Sequence, residues 1–105
     1  MSQQIADLLR RARKRISTMD TWCQGTAAQD CRGNGVLSLH PDACRWCAIG
    51  AINAETANVN LRQLGEEALN AVCPRPYGAE GVNDLLGHAA VLKMYDNAIV
   101  AQEAA

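Results

Sequence analysis

Cys44-Arg45-Trp46-Cys47 is the one local cysteine pair in the chain, and Cys23, Cys31 and His40 lie close enough in sequence to raise the question of a tetrahedral zinc site. Structural zinc usually takes two such pairs. The second is missing, because Cys23 and Cys31 stand eight residues apart. A Cys-x-x-Cys at a helix start can also run thiol–disulfide exchange, but the βαβ surroundings of thioredoxin-like sites are absent from the pattern. The expectation is therefore no metal. Cys23, Cys31, Cys44, Cys47 and Cys73, an odd set in a reducing cytosol, are expected as free thiols, with Cys44 and Cys47 acting as small apolar groups.

Other chemistry is thinly supplied. His40 and His88 are the only histidines, and neither a Gly-x-Ser-x-Gly elbow nor a phosphate-binding glycine loop occurs. Glu66-Glu67 read as surface charges on a helix. These absences point away from an enzyme, and no cofactor is expected.

The elements that must position these residues can be read from periodicity. Ile5, Leu8, Leu9, Ala12 and Ile16 recur at helical spacing over 3–17, with Arg10, Arg11, Arg13, Lys14 and Arg15 on the other positions. Residues 22–39 read as a β-hairpin, its two arms flanking Gly33-Asn34-Gly35, residue types that tolerate turn conformations. Pro41 and Asp42 look like a helix start, so a second helix is expected over about 41–56. Cys44, Cys47, Ala48, Ala51 and Ile52 would form its apolar stripe. A third helix over about 60–72 ends at Cys73-Pro74, residues 74–81 read as a loop, and a last helix covers about 88–102. The expected fold is α+β: one domain, 1–105, with a small β-hairpin or sheet packed against four helices.

Composition narrows the partners. Of 105 residues 49% are apolar, but 18 are Ala and Phe is absent, so the core is thin and part of it is expected between copies, on the first-helix or last-helix stripe. The net charge of −1 argues against dedicated nucleic-acid binding, and no apolar stretch approaches a membrane span or a signal sequence. A cytoplasmic protein is expected.

Two segments, Trp22-Cys23-Gln24-Gly25-Thr26-Ala27-Ala28-Gln29-Asp30 and Asp42 through Ile52 with its Cys47-Ala48-Ile49-Gly50-Ala51 run, resemble a family of small proteins of bacteria and their phages described mainly as a domain of unknown function. Val82-Asn83-Asp84 and the Val91–Ile99 stretch fit the tail of that family. In outline the chain also looks like the Thoeris anti-defence proteins of the first described type, phage sponges that hold cyclic nucleotide signals without cleaving them. That resemblance implies a non-catalytic, homo-oligomeric binder of a nucleotide second messenger in the host cytoplasm. The closing helix departs from the arginine-rich pockets of such sponges, offering Lys93 with Asn97 and Tyr95.

A phosphate-bearing ligand needs cations or helix N-termini for its phosphates and a flat side chain or amide for its base. Arg45 and Trp46, expected in the first turn of the second helix, with Tyr77, Asn83, Lys93 and Asn97, are the residues that could supply them. For Asn83 and the tryptophans the competing roles are a turn or cap and core packing. The alternative function is a protein–protein inhibitor of a bacterial defence complex, in the manner of anti-CRISPR proteins, working through the basic face of the first helix.

Overall fold

The amphipathic start of the chain folds as expected from its stripe: helix α1 spans Ser2–Arg15, and Ile5, Leu8, Leu9 and Ala12 on it are buried, with Ile16 just beyond. The computed structural model describes residues 2–105. A three-residue helical turn, Met19–Thr21, leads to strands β1 (Ala28–Asp30), β2 (Gly35–Val36) and β3 (Ala43–Trp46). Helix α2 (Ala48–Glu55), helix α3 (Val59–Val72), the single turn α4 (Ala79–Gly81) and helix α5 (His88–Ala104) complete the chain, with a wide π-helical turn, Val82–Leu86, between the last two. The result is a compact single α+β domain, five helices beside one small antiparallel sheet.

The sheet is larger than a hairpin because its third strand occupies the expected beginning of the second helix. β1 lies in the centre, paired with β2 and with β3. His40 and Pro41-Asp42 turn the chain, Ala43 N–H donating to the His40 carbonyl at 3.0 Å, instead of starting a helix. The helix begins only at Ala48. Its cap is Cys47, in extended conformation, whose sulfur accepts the Gly50 N–H at 3.2 Å. The arm expected to run through Leu39 stops at Val36, and Leu37 and Leu39 are exposed. Gly33, at φ +87°, makes the turn between β1 and β2, where the Asp30 carboxylate accepts the Arg32 and Asn34 N–H groups at 2.9 Å each. The Asn34 N–H first, with further hydrogen bonds from Asn34, Arg32 and Gly33, holds the Asp30 carboxyl below its usual range.

That third strand also corrects the reading of the cysteines. β1 and β3 run antiparallel with Asp30 opposite Ala43, and the residues that follow these partners, Cys31 and Cys44, are joined as a disulfide. Cys23, Cys47 and Cys73 are free. Cys44 and Cys47 are thus not two members of one apolar helix stripe: one is a cystine half in the sheet, the other a helix cap.

Helix α1 packs on α5 and α2, and α3 packs on α5. The α1 and α5 stripes expected to be shared between copies are covered inside the chain, Val91, Met94, Tyr95, Ala98 and Ile99 of α5 all being buried. Tyr95, fully enclosed, donates its hydroxyl to the Ala48 carbonyl at 2.6 Å, and burial drives its pKa well up, so it stays a neutral donor. The segment read as a loop to 81 is helical from Ala79, and the π-helical turn after it ends at Gly87, whose φ of +93° redirects the chain into α5.

Candidate functional site

Arg45 and Trp46 sit on β3, ahead of the start of α2 at Ala48 and not in its first turn. Neighbours on a strand face opposite ways. Arg45 Nε donates to the Asp20 carbonyl at 3.3 Å, and the half-buried Trp46 ring lies under Arg15, whose guanidinium carbon is 4.5 Å from the ring centroid. Trp46 Nε1 is already committed to the Ser38 carbonyl at 3.0 Å.

The basic face that carries Arg15 is largely neutralised within the chain. Arg10 pairs with Asp7 at 2.8 Å and Glu103 at 2.6 Å, Arg13 with Asp96 at 2.7 Å, and Arg15 and Arg11 with Glu55 at 2.6 and 3.4 Å. The exposed pairs among them add little stability, and all of them occupy the cations. Of the helix's five bases only Lys14 has no ion-pair partner among the described residues.

Asn83 lies in the π-helical turn, 1% exposed, and every hydrogen-bonding position of its amide is used. Oδ1 accepts from Trp22 Nε1 at 2.7 Å and from the Ala48 N–H at 2.9 Å. Nδ2 donates to the Cys23 carbonyl and to Asp84 Oδ1, both at 3.0 Å. Around it Gln24 Nε2 donates to the Asn83 carbonyl at 3.0 Å and the Gly25 N–H to Asp84 Oδ1 at 3.0 Å. The segment beginning at Trp22, the start of α2 and the π-helical turn are tied together at this one amide. As a fully bonded interior group, Asn83 has no free donor or acceptor for a ligand.

Lys93 and Asn97, one turn apart on α5, come together on the rim of a groove of about 310 Å³. Its apolar lining is Val72 at the end of α3 and Pro74 just beyond it, Val82 and Leu86 from the π-helical turn, and Ala90 and Met94 from α5. The Lys93 ammonium has no ion-pair partner among the described residues. Arg45, Trp46, Tyr77 and Asn83 do not line this groove. Tyr77 belongs to the turn before it, its N–H bonded to the Pro74 carbonyl at 2.9 Å and its ring against Gly81. Of the six residues singled out from sequence, two share a cavity. The apolar lining was not singled out; of it Met94 fell within a stretch, Val91–Ile99, that the sequence marked.

A larger, shallower cleft of about 590 Å³ runs over the cystine, lined by Asp30, Cys31, Arg32 and Pro41 to Cys44. Its two carboxylates and single arginine suit no particular anion. Among the described residues no cluster of three or more His, Cys, Asp or Glu side chains is placed to hold a metal ion, and no helix is long and apolar enough to cross a membrane.

A family model described as a family of unknown function, DUF6197, matches residues 1–101, and the chain belongs to that family. No curated protein and no solved structure matches it.

Proposed function

We propose that the chain is a non-catalytic binding protein that takes up a small nucleotide signal, a sponge for a host immune messenger encoded by a phage and acting in the host cytoplasm. The observation that supports this reading is the groove between α3, the π-helical turn and α5. An apolar floor with one lysine and one amide on its rim matches the parts of a nucleotide: a flat base against Val72, Val82 and Met94, a phosphate on Lys93, and a base edge on Asn97. At about 310 Å³ the groove is at the small end of ligand sites, and it offers one cation. Both features favour a cyclic mononucleotide over a multiply charged oligonucleotide. The inhibitor reading draws no comparable support, since the arginines it relies on are paired with carboxylates of the same chain.

Small molecules released by heating the protein, after purification from cells making defence signals, are identified by mass spectrometry, and an intact cyclic nucleotide in near-stoichiometric amount is expected. In calorimetric titration with that nucleotide, Lys93→Ala should weaken binding at least about tenfold, the loss of one charge-assisted hydrogen bond. Because Lys93 is exposed, its melting temperature should stay within about two degrees of the parent. No released nucleotide, or unchanged affinity in Lys93→Ala, rejects the groove. Weakening in Arg45→Ala alone would move the site to the β3 face.

Self-association belongs to the same proposal. Leu85, Leu86 and Val100 are exposed, Leu86 lines the groove, and Val100 follows Asn97 by three residues on one face of α5. Light scattering at micromolar concentration should give a dimer or larger assembly, and a monomer mass would remove this part of the reading.

A further inference from the structure

Cys23 and Cys47 have no part in the groove, yet the fold sets them side by side. Trp22 and Trp46 form a parallel backbone bridge, and the Cys23 N–H donates to the Trp46 carbonyl at 3.1 Å. The two cysteines are the next residue on each of the two segments. Bridged neighbours point the same way and their successors point the opposite way, so Cys23 and Cys47 share the side away from the two indoles. Adjacent extended segments lie about 4.8 Å apart, within the Cα separation of about 4.4–6.8 Å that a disulfide spans.

Three further contacts fix the pair. The Cys47 N–H donates to the Ala27 carbonyl at 3.0 Å, so the loop from Cys23 to Ala27 clasps Cys47 from the other end. The Asn83 amide holds the Cys23 carbonyl with its nitrogen and the N–H of Ala48, next after Cys47, with its oxygen. A charge on Cys47 is near enough to raise the pKa of the Cys23 thiol, after burial the second cause that takes it to about 11. Cys73 has none of this. It caps α3, with its sulfur on the Leu69 carbonyl at 3.2 Å and on Met94 Sδ at 3.3 Å, and its raised pKa comes from burial alone.

We infer that Cys23 and Cys47 are a redox couple, adjacent thiols that close to a second cystine in the presence of a low-molecular-weight disulfide and reopen in the presence of the corresponding thiol. Cys47, the less buried of the two, attacks one sulfur of the small disulfide as a thiolate. The S–S bond breaks, a mixed disulfide forms, and one small thiolate leaves. The Cys23 thiolate then attacks the Cys47 sulfur and expels the second. The protein loses two electrons and two protons, which the small disulfide carries away as two thiols. Burial raises both protein thiols, so few thiolates exist at neutral pH and closure is slow, on the order of minutes to hours. The cystine ties the Trp22–Ala27 segment to the cap of α2 and encloses the existing Cys31–Cys44 loop within its own.

The test exposes the folded wild-type protein to excess oxidised glutathione, blocks remaining thiols by alkylation in denaturant, and reads intact mass and the non-reducing peptide map. The expected product has one alkylated thiol, at Cys73, where the untreated protein has three, together with a Cys23–Cys47 linked peptide and no glutathione. It should melt at least about 5 °C higher, and reduced glutathione should restore both thiols with Cys31–Cys44 intact. Cys47→Ser, which keeps an oxygen to cap α2, should leave Cys23 fully alkylated after the same treatment. A lasting glutathione adduct on Cys47, a link through Cys73, exchange with Cys31 or Cys44, three surviving thiols, or loss of the Cys23 thiol in Cys47→Ser would each overturn the inference.

Discussion

Asn83→Ala is expected to lower the unfolding free energy by about 3–5 kcal/mol, a large share of the roughly 5–15 kcal/mol that holds a domain of this size together. The substitution leaves Trp22 Nε1, the Ala48 N–H and the Cys23 carbonyl without the partner they have in the interior. An orphaned buried donor or acceptor costs about 1–3 kcal/mol each, and some of that is recovered where water enters. Asn83→Asp separates the contributions. It retains an acceptor for Trp22 and Ala48 but loses the donor to Cys23, and it sets a carboxylate against Asp84 where an N–H···O bond now stands at 3.0 Å. A smaller but clear loss, about 2–3 kcal/mol, should follow, growing as pH rises through the carboxylate range because the added charge is the destabilising form. Urea unfolding of the three proteins gives these differences directly. A midpoint for Asn83→Ala near that of the wild type would mean that the junction is not the hub its hydrogen bonds describe, and would return Asn83 to the list of groups free for a ligand.

The different fates of Asn83 and Lys93 show what the sequence makes legible. Long stripes such as Ile5–Ile16 and Val91–Ile99 repeat over successive turns, so α1 and α5 follow from spacing alone. Lys93 and Asn97 fall one turn apart on such a helix, and their shared position on a groove follows from that. Asn83 belongs to no repeating pattern, and its burial comes from Trp22, Ala48 and Cys23, which arrive from sites 35 to 61 residues away. Strand β3 fails for a related reason. Four residues are too few to display a period of two, and Cys44, Cys47 and Ala48 happen to fall at i, i+3 and i+4, the helical spacing. With β3 hidden, its pairing with β1 is hidden too, and so is the Cys31–Cys44 cystine, which depends on that register. The groove's apolar floor draws on three elements, and nothing local in any of them announces the other two.

Gly50→Ala is expected to be the most damaging single-methyl addition in the chain, costing at least about 3 kcal/mol even though alanine is the better helix former by about 1 kcal/mol. A Cβ on Gly50 would overlap the Ala27 carbonyl oxygen and stand 2.7 Å from the carbonyl carbon. Both are backbone atoms, so no side chain can swing aside. Relief requires α2 and the chain entering β1 to separate, which stretches the Cys47 N–H to Ala27 carbonyl bond of 3.0 Å and, through it, the pairing of Ala28 with Trp46. Gly65, on α3, is the matched control. There a Cβ meets Leu8 Cδ2 at 3.2 Å and two Ile52 methyls at 3.4 Å, the ends of side chains that can shift by tenths of an ångström. Gly65→Ala should therefore stay within about 1 kcal/mol of the wild type, the helix-propensity gain offsetting the crowding. The comparison isolates the close approach of α2 to the Cys23–Ala27 loop from any general intolerance of bulk in the helices. It also bears on the thiols, since the separation that accommodates the methyl at Gly50 draws Cys47 away from Cys23. Denaturant midpoints that fall in the reverse order, with Gly65→Ala the more damaging, would place the tight contact elsewhere and loosen the clasp on which the pairing of the two cysteines depends.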